Sequence, residues 1–182
     1  MNEVRTVSVT KQLRGTVVLD ADTTCRWGYV TDVVINPTTG TVVALFFRTI
    51  NGDEYALAPE DFLIHREAKV VLALGDPVTD RAQLRMILES GVRAEGELAG
   101  SDAVTKYGRR LGRVTQVFIQ TAPMRMIYHL TSSIRQRLFG GSLYLTGNAP
   151  CEFSRADARL IVPADAKKLK NLSGLLMSLL LV

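Results

Sequence analysis

A chain of 182 residues in which 47% of the side chains are hydrophobic has ample apolar surface for packed cores, which excludes a globally disordered protein. The net charge of +4 hides an asymmetry: residues 1–90 (the first half) carry nine Lys or Arg and twelve Asp or Glu, whereas residues 91–182 (the second half) carry thirteen and six. The first half is at −3 and the second at +7, so the second half is expected to bind phosphate groups or an acidic protein face.

Taken in chain order, the first half reads as short strands separated by tight turns. The segment Asn36-Pro37-Thr38-Thr39-Gly40 and the pair Asn51-Gly52 are turn signals, because asparagine and glycine tolerate positive φ. Gly28 begins a strand, where a bulge or a close approach between strands explains a glycine. Many short strands with a turn about every ten residues predict a small antiparallel barrel or sandwich. The predicted strands are residues 16–19, 29–35, 41–48, 55–58 and 69–74.

A helix is predicted between the halves. Thr79 and Asp80 offer a side-chain cap, and Leu84, Ile87 and Leu88 follow at helical spacing. Gly91 stands where a glycine would end the helix. We therefore place a helical linker at residues 79–95.

One sequence motif of the first half recurs in the second half. Residues 28–35 read G-Y-V-T-D-V-V-I and residues 112–119 read G-R-V-T-Q-V-F-I, an offset of 84 residues. A repeat of this period indicates two copies of one small domain rather than a solenoid. The predicted organisation is a first barrel at residues 1–78, the linker, a second barrel at residues 96–165 and a tail at residues 166–182.

The second copy contains an insertion between about residues 132 and 150, since the offset between the copies rises from 84 to 90 there. The insertion includes Arg135, Arg137 and Phe139 beside two glycines. Inserted loops on rigid scaffolds are common sites of partner binding. These three side chains are therefore candidate binding residues, either for a membrane or protein partner or for RNA, where the arginines would contact phosphate and the phenylalanine would stack on a base. A solvated surface loop is the alternative.

The tail combines cations with an apolar helical stripe. Lys167, Lys168 and Lys170 precede a leucine-rich segment, and Leu169, Leu172, Leu176 and Leu179 follow 3-4-3 spacing, which predicts an apolar C-terminal helix. The apolar run of about eleven residues is too short to span a bilayer, which needs about twenty. Cations beside an apolar helix suit peripheral attachment to an anionic membrane. Packing on a partner helix, on the chain's own barrel or on a second subunit in a homo-oligomer are the alternatives.

Catalytic and metal-binding patterns are absent from the sequence. His65 and His129 are the only histidines, and neither has a second ligand at the spacing of a metal site. Cys25 and Cys151 form no CxxC pair and are expected to be reduced thiols in a turn or a core. We therefore expect no enzymatic activity, no metal and no cofactor. The N-terminus shows no secretory signal, so a cytoplasmic location is expected.

The string W-G-Y-V-T-D-V-V-I-N-P-T-T-G-T-V-V-A-L at residues 27–45 resembles the start of the PRC-barrel family. That family shows Gly-x-Val-x-Asp followed by a hydrophobic residue, then an Asn/Asp-Pro-x-Thr-Gly turn and a Val-Val-Ala-Leu strand. Pro59-Glu60-Asp61 is similar to the family's loop after its fourth strand. The second copy keeps Gly112, Val114, Val117 and Ile119 but lacks the Asn-Pro turn.

The resemblance implies two tandem small antiparallel β-barrels of the PRC-barrel type, with a mainly β fold. Members of the PRC-barrel family include the cytoplasmic domain of the photosynthetic reaction-centre H subunit and the C-terminal domain of the ribosome maturation factor RimM. The resemblance implies a non-catalytic adaptor or assembly subunit that binds protein partners at a membrane surface, for example an integral photosynthetic complex at the inner or photosynthetic membrane. The alternative is an RNA- or ribosome-associated maturation factor of the RimM type.

Overall fold

The fold is given by a computed structural model, which describes residues 6–65, 67–121, 124–131, 143–146, 150–163, 166 and 168–169. Within these residues one α-helix, α1, spans Arg81–Ser90, and the rest of the regular structure is almost entirely β. The strands in chain order are β1 (Thr6–Ser8), β2 (Val17–Asp20), β3 (Arg26–Asn36), β4 (Thr41–Thr49), β5 (Glu54–Leu57), β6 (Phe62–His65), β7 (Val70–Ala73), β8 (Val92–Arg93), β9 (Asp102–Thr105), β10 (Arg110–Thr121), β11 (Met124–Thr131), β12 (Leu143–Thr146), β13 (Glu152–Ser154), β14 (Arg159–Val162) and β15 (Lys168–Leu169).

The strands form two sheets, one built mainly from each half. The first sheet has the order β5-β4-β3-β2-β7-β6, and the second has the order β13-β14-β9-β10-β11-β12-β15. Most neighbours are antiparallel, but β2 runs parallel to β7 and β9 runs parallel to β14. The corresponding parallel pairs show that both halves follow one plan, as the sequence repeat predicts.

The long β3–β4 hairpin has the turn that the sequence predicts. The Asn36 side chain accepts a hydrogen bond from the Thr38 backbone N–H at 2.9 Å, and Gly40 takes the positive φ of 68° that favours glycine. Gly28 lies where β3 and β4 approach closely, since a Cβ there would stand 2.1 Å from the Arg48 carbonyl oxygen. The close approach predicted at Gly28 is confirmed.

Each sheet takes one strand from the other half of the chain. β1 pairs with β10 of the second sheet, with Val7 opposite Ile119. In return, β8 pairs with the end of β3 in the first sheet, with Val92 opposite Ile35. We call this reciprocal pairing the strand exchange, and it joins the two halves through backbone hydrogen bonds in both directions.

Two equivalent one-turn π-helical segments follow the exchanged strands. The first crossover turn is Val9–Leu13, and the second is Ala94–Leu98, 85 residues later. In the first, Arg14 N–H donates to the Val9 carbonyl at 3.0 Å; in the second, Ala99 N–H donates to the Ala94 carbonyl at 2.9 Å. The two turns therefore have the same backbone structure despite different sequences.

Helix α1 follows the predicted pattern. Asp80 caps its first turn by accepting a hydrogen bond from Gln83 N–H at 2.9 Å, and the helix ends before Gly91. Its buried Leu84 packs with Phe46 and Ala56 against the face of the first sheet that points away from the main core. The helix therefore shields that face from water, because exposing an apolar sheet face to solvent is unfavourable.

The main core is continuous between the halves. One cluster of buried side chains includes Leu13 and Phe47 from the first half and Leu98, Met126 and Tyr128 from the second. Side chains from the inner faces of both sheets and from both crossover turns belong to this cluster. The core of each half is therefore partly covered by the other half.

The prediction of two antiparallel β-barrels is only partly right. The mainly β fold with a helix between the halves is confirmed. The sheets are mixed rather than antiparallel, because β7 and β14 return beside β2 and β9 in the same direction. Among the described residues the end strands of each sheet do not pair with each other, so neither sheet closes into a barrel.

The predicted C-terminal helix does not begin where the leucine spacing places it. Lys168 and Leu169 form β15, which pairs antiparallel with β12 through Leu145 and Tyr144. A strand here satisfies the N–H and C=O groups that β12 would otherwise leave unpaired at the sheet edge, and this outweighs the helical pattern. Residues 170–182 lie outside the described residues.

Candidate binding surfaces

A row of charged residues crosses three strands of the second sheet. Asp102 in β9 is the register partner of both Arg113 in β10 and Arg159 in β14. The alternate residues Ala103 and Leu160 are buried, so the charged row lies on the outward face. Two arginines thus flank one carboxylate on an exposed sheet surface.

Further cations surround this row. Arg110 donates to Asp102 at 2.8 Å, whereas the Arg113 guanidinium lies 3.8 Å from the same oxygen. Lys106 and Arg109 are exposed in the adjoining β9–β10 turn. Exposed ion pairs of this kind contribute only about 0–1 kcal/mol, so the arginines can exchange Asp102 for an external anion. We call this set of five cations and one carboxylate the basic patch: Lys106, Arg109, Arg110, Arg113, Arg159 and Asp102.

The same row in the first sheet has no charge. Its members are Tyr29, Val17 and Val70, because Val17 is the register partner of both of the others. Val17 corresponds to Asp102 in the strand plan. The two halves therefore present different surfaces on one backbone plan, which agrees with the asymmetry of charge in the sequence.

An aromatic groove of about 470 Å³ lies on the first half. Trp27 stacks on Phe47 with 6.2 Å between ring centroids, and Tyr55 meets Phe47 edge to face at 5.9 Å. Phe47 is fully buried, and Trp27 and Tyr55 pack against the main core. Trp27 therefore closes one end of the core.

His129 occupies a partly buried position on β11. The Thr115 hydroxyl donates to the His129 carbonyl at 3.2 Å, so its oxygen accepts from the ring Nδ1 at 2.8 Å. Nε2 is buried without a hydrogen-bond partner among the described residues. Burial, with a smaller contribution from the Lys11 ammonium, lowers the pKa of His129 below its usual value. The geometry therefore favours a neutral ring.

Tyr128 and Cys151 lie together in the core. Both are fully buried, and the Tyr128 hydroxyl has no hydrogen-bond partner among the described residues. Burial raises the pKa of Tyr128 and raises that of the Cys151 thiol to about 11. Cys25 is exposed and Cys151 is buried, and both are free thiols. A protonated, buried thiol is a poor nucleophile.

An ion pair ties the second crossover turn to the β13–β14 turn. Glu97 accepts from the Arg155 guanidinium at 2.7 Å and from the Arg93 backbone N–H at 2.9 Å. The same guanidinium donates to the carbonyls of Leu88 and Gly91 at the end of α1. Burial acts to raise the pKa of Glu97, but these hydrogen bonds outweigh it and hold the pKa below its usual value.

The binding residues predicted from the sequence are not brought together in the described structure. Arg135, Arg137, Phe139, Lys167 and Lys170 all lie outside the described residues. The backbone of Lys168 lies in β15, at the opposite end of the second sheet's strand order from β14. The role of this loop and tail stays a prediction.

No group of three or more His, Cys, Asp or Glu side chains in the described part of the chain is placed to hold a metal ion. None of the helices in that part is long and apolar enough to cross a membrane.

Comparison with known proteins found no matching family model and no matching curated protein. The resemblance to the PRC-barrel family therefore depends on the motif at residues 27–45 and on its partial repeat, and it stays a prediction. The function is inferred from the surfaces of the molecule.

The basic patch could not be predicted from the sequence, because its residues are distant from one another along the chain. Arg109, Arg110 and Arg113 stand close together, but Arg159 joins them only through the parallel β9–β14 pairing. The charge of +7 on the second half was the available signal. This charge indicated that the basic surface lies on the second half, but not which strands carry it.

Proposed function

We propose that this protein is a non-catalytic adaptor that uses its second half to dock on an acidic protein partner at a membrane surface. It is organised as two related units of the PRC-barrel type, at residues 1–78 and 96–165. It acts in the cytoplasm, peripheral to the membrane that holds its partner, an integral complex such as a photosynthetic one.

The basic patch is the observation that carries this proposal. Arg110 and Arg113 contact Asp102 on an exposed sheet face and are more than half exposed, at 59% and 57%, while Arg159 lies on the next strand and Lys106 and Arg109 in the adjoining turn. Excess positive charge on a rigid sheet attracts an acidic surface and orients it. Arg113 and Arg159 correspond to Tyr29 and Val70 in the first half, which supports a role specific to the second half because the fold itself does not require these two arginines.

The insertion and the tail supply a second contact in this proposal. Arg135 and Arg137 add charge, Phe139 adds an interfacial aromatic side chain, and Lys167, Lys168 and Lys170 precede the apolar segment. Each cation near an anionic membrane contributes about 1 kcal/mol. Weak attraction at the lipid surface would hold the adaptor close to its protein partner.

The test is sedimentation with native membranes of the source organism. The variant Arg110→Glu/Arg113→Glu/Arg159→Glu should bind more weakly by up to roughly 100-fold, since three exposed charge contacts of up to about 1 kcal/mol each are lost. A matched control, Arg48→Glu/Arg81→Glu/Arg85→Glu, makes the same change of charge at exposed positions of the first half and should sediment like the parent.

Protease-treated membranes and protein-free vesicles that contain phosphatidylglycerol separate the partner classes. Binding that is lost after protease treatment supports a protein partner, whereas equal binding to vesicles would assign the patch to lipid instead. Tight binding of the parent to single-stranded RNA, lost in the patch variant, would favour the ribosomal alternative. Equal sedimentation of the patch variant and the control would refute docking through the patch.

A further inference from the structure

A cleft of about 380 Å³ lies between the first crossover turn and the β6–β7 hairpin. Its apolar part includes Leu13, Ile64 and Val70, and its polar part includes Lys11, His65 and Lys69. None of the residues that line it carries a carboxylate. Its volume falls in the lower part of the range of small-molecule sites, which is about 300–1,000 Å³.

The Thr16 hydroxyl at the edge of the cleft donates to the Gln12 carbonyl at 2.8 Å, and the other polar side chains of the cleft are able to donate hydrogen bonds to a ligand. His65 Nδ1 accepts from the Ala68 backbone N–H at 3.2 Å, so its Nε2 carries the proton. Gln12 Oε1 accepts from the Ser8 backbone N–H at 3.0 Å, which leaves the Gln12 amide nitrogen to donate. The two lysine ammonium groups have only donors. Such a group of donors is complementary to an anion.

In the second half a carboxylate stands at the position that corresponds to Gln12. Glu97 stands in the second crossover turn where Gln12 stands in the first, and it accepts from the Arg93 backbone N–H at 2.9 Å, as Gln12 does from Ser8. The other Glu97 oxygen accepts from Arg155 at 2.7 Å. The second half thus provides its own carboxylate, whereas the first half places an amide donor there.

We propose that this cleft binds a small carboxylate with an apolar substituent. The carboxylate accepts hydrogen bonds from Lys11, Lys69 and His65, and the apolar part covers Leu13, Ile64 and Val70. The choice of a carboxylate follows from Glu97, which supplies that group at the equivalent position of the second half. The site is separate from the basic patch, because it is formed by the first half and the patch by the second.

The probes are hexanoate, hexanol and inorganic phosphate, each titrated into the full-length protein while amide chemical shifts are followed by NMR. Hexanoate should shift the amides of residues 11–16 and 64–70 saturably. Hexanol and phosphate should bind at least tenfold more weakly, because each lacks one of the two groups that the cleft recognises. Phosphate that binds as tightly as hexanoate, or shifts spread over the whole protein, would overturn the proposal.

Two variants test the geometry. Gln12→Glu should retain the backbone hydrogen bond, as Glu97 does, yet should abolish hexanoate binding because its own carboxylate takes the donors. Lys69→Ala should weaken hexanoate binding about tenfold, the usual effect of losing a hydrogen bond to a charged group. The backbone tolerates alanine here, since Lys69 has φ 53° and the corresponding Ala158 has φ 50°. Unchanged hexanoate affinity in Gln12→Glu, with native chemical shifts elsewhere, would refute the site.

Discussion

Asp32 Oδ2 accepts a hydrogen bond from the Gly96 backbone N–H at 3.0 Å, across the boundary between the two halves. The second oxygen of the same carboxylate accepts from the Glu95 N–H at 2.9 Å and from the Val33 N–H at 2.7 Å. Asp32 is only 4% exposed. One buried carboxylate of β3 therefore holds the second crossover turn in place beside the exchanged strand β8.

Replacing Asp32 should destabilise the whole protein. Asp32→Ala leaves the N–H groups of Glu95 and Gly96 without their partner, and unsatisfied buried groups cost about 1–3 kcal/mol each, so a loss of about 3 kcal/mol is expected in urea unfolding. Asp32→Asn retains one acceptor oxygen and should lose less. Asp22→Ala, at an exposed turn, is the control and should change stability by less than about 0.5 kcal/mol.

The same experiment tests whether the halves unfold together. Trp27 is the only tryptophan, so its fluorescence reports on the first half, while circular dichroism reports on both sheets. Because the halves exchange strands and share a core, the two signals should change at the same urea concentration. Separate transitions in the parent protein would contradict the role given to the strand exchange.

Tyr128→Phe should stabilise the protein. The substitution removes a buried hydroxyl that has no hydrogen-bond partner in the described structure and keeps the ring in the core. The free energy of unfolding should rise by about 1 kcal/mol, the lower part of the cost of an unsatisfied buried group. Tyr107→Phe, at a side chain that is 79% exposed, should have no measurable effect. A loss of stability in Tyr128→Phe would show that the hydroxyl has a partner.

Glu97 should contribute to stability against acid. Its pKa is lower in the folded protein than in the unfolded chain, so the unfolded chain binds the proton first as the pH falls. The stabilisation is present above about pH 4.5 and is lost as the pH falls through the folded-state pKa. Glu97→Gln should therefore make stability fall less steeply below pH 4.5 than in the parent protein. Glu89→Gln, which also removes one carboxylate but on the exposed face of α1, is the matched control. The check is urea unfolding at a series of acidic pH values.

His129 should make the stability of the protein depend on pH in a higher range than Glu97 does. Its folded-state pKa lies below the usual 6.5, so the unfolded chain takes up a proton near pH 6.5 while the folded ring stays neutral. Stability should be full above pH 6.5 and should fall between pH 6.5 and the folded-state pKa. An NMR titration of the ring protons checks the direction of the shift. A His129 pKa at or above 6.5 would contradict the buried, neutral ring described here.

The inserted loop and the tail can be tested together. Changing Arg135, Arg137, Lys167, Lys168 and Lys170 to Glu should release the protein from its membrane or partner while the fold stays intact, because cations beside an apolar segment drive peripheral attachment. Truncation after Leu169 should weaken attachment and retain β15. Membrane fractionation measures both variants, and unchanged fractionation of the charge-reversed protein would remove these residues from the docking surface.

Local features of the fold could be read from the sequence. The turn at Asn36–Gly40, the cap at Asp80 and the close approach at Gly28 each depend on one or two residues and their neighbours. The strand exchange could not be predicted in this way. The apolar side chains of Val7 and Val92 indicate which face of each strand is buried, but not which strand pairs with it. For the same reason the row formed by Arg113, Asp102 and Arg159 depends on the register of three strands.

The strand exchange also affects synthesis, because a chain folds from its N-terminus as it leaves the ribosome. When the first ninety residues have emerged, β3 still lacks β8 along its final residues, and β1 has no β10 to pair with. The nascent first half therefore exposes an open strand edge and part of its core until the second half is made. We expect it to need protection during translation, and expression of the first half alone should give an aggregating protein.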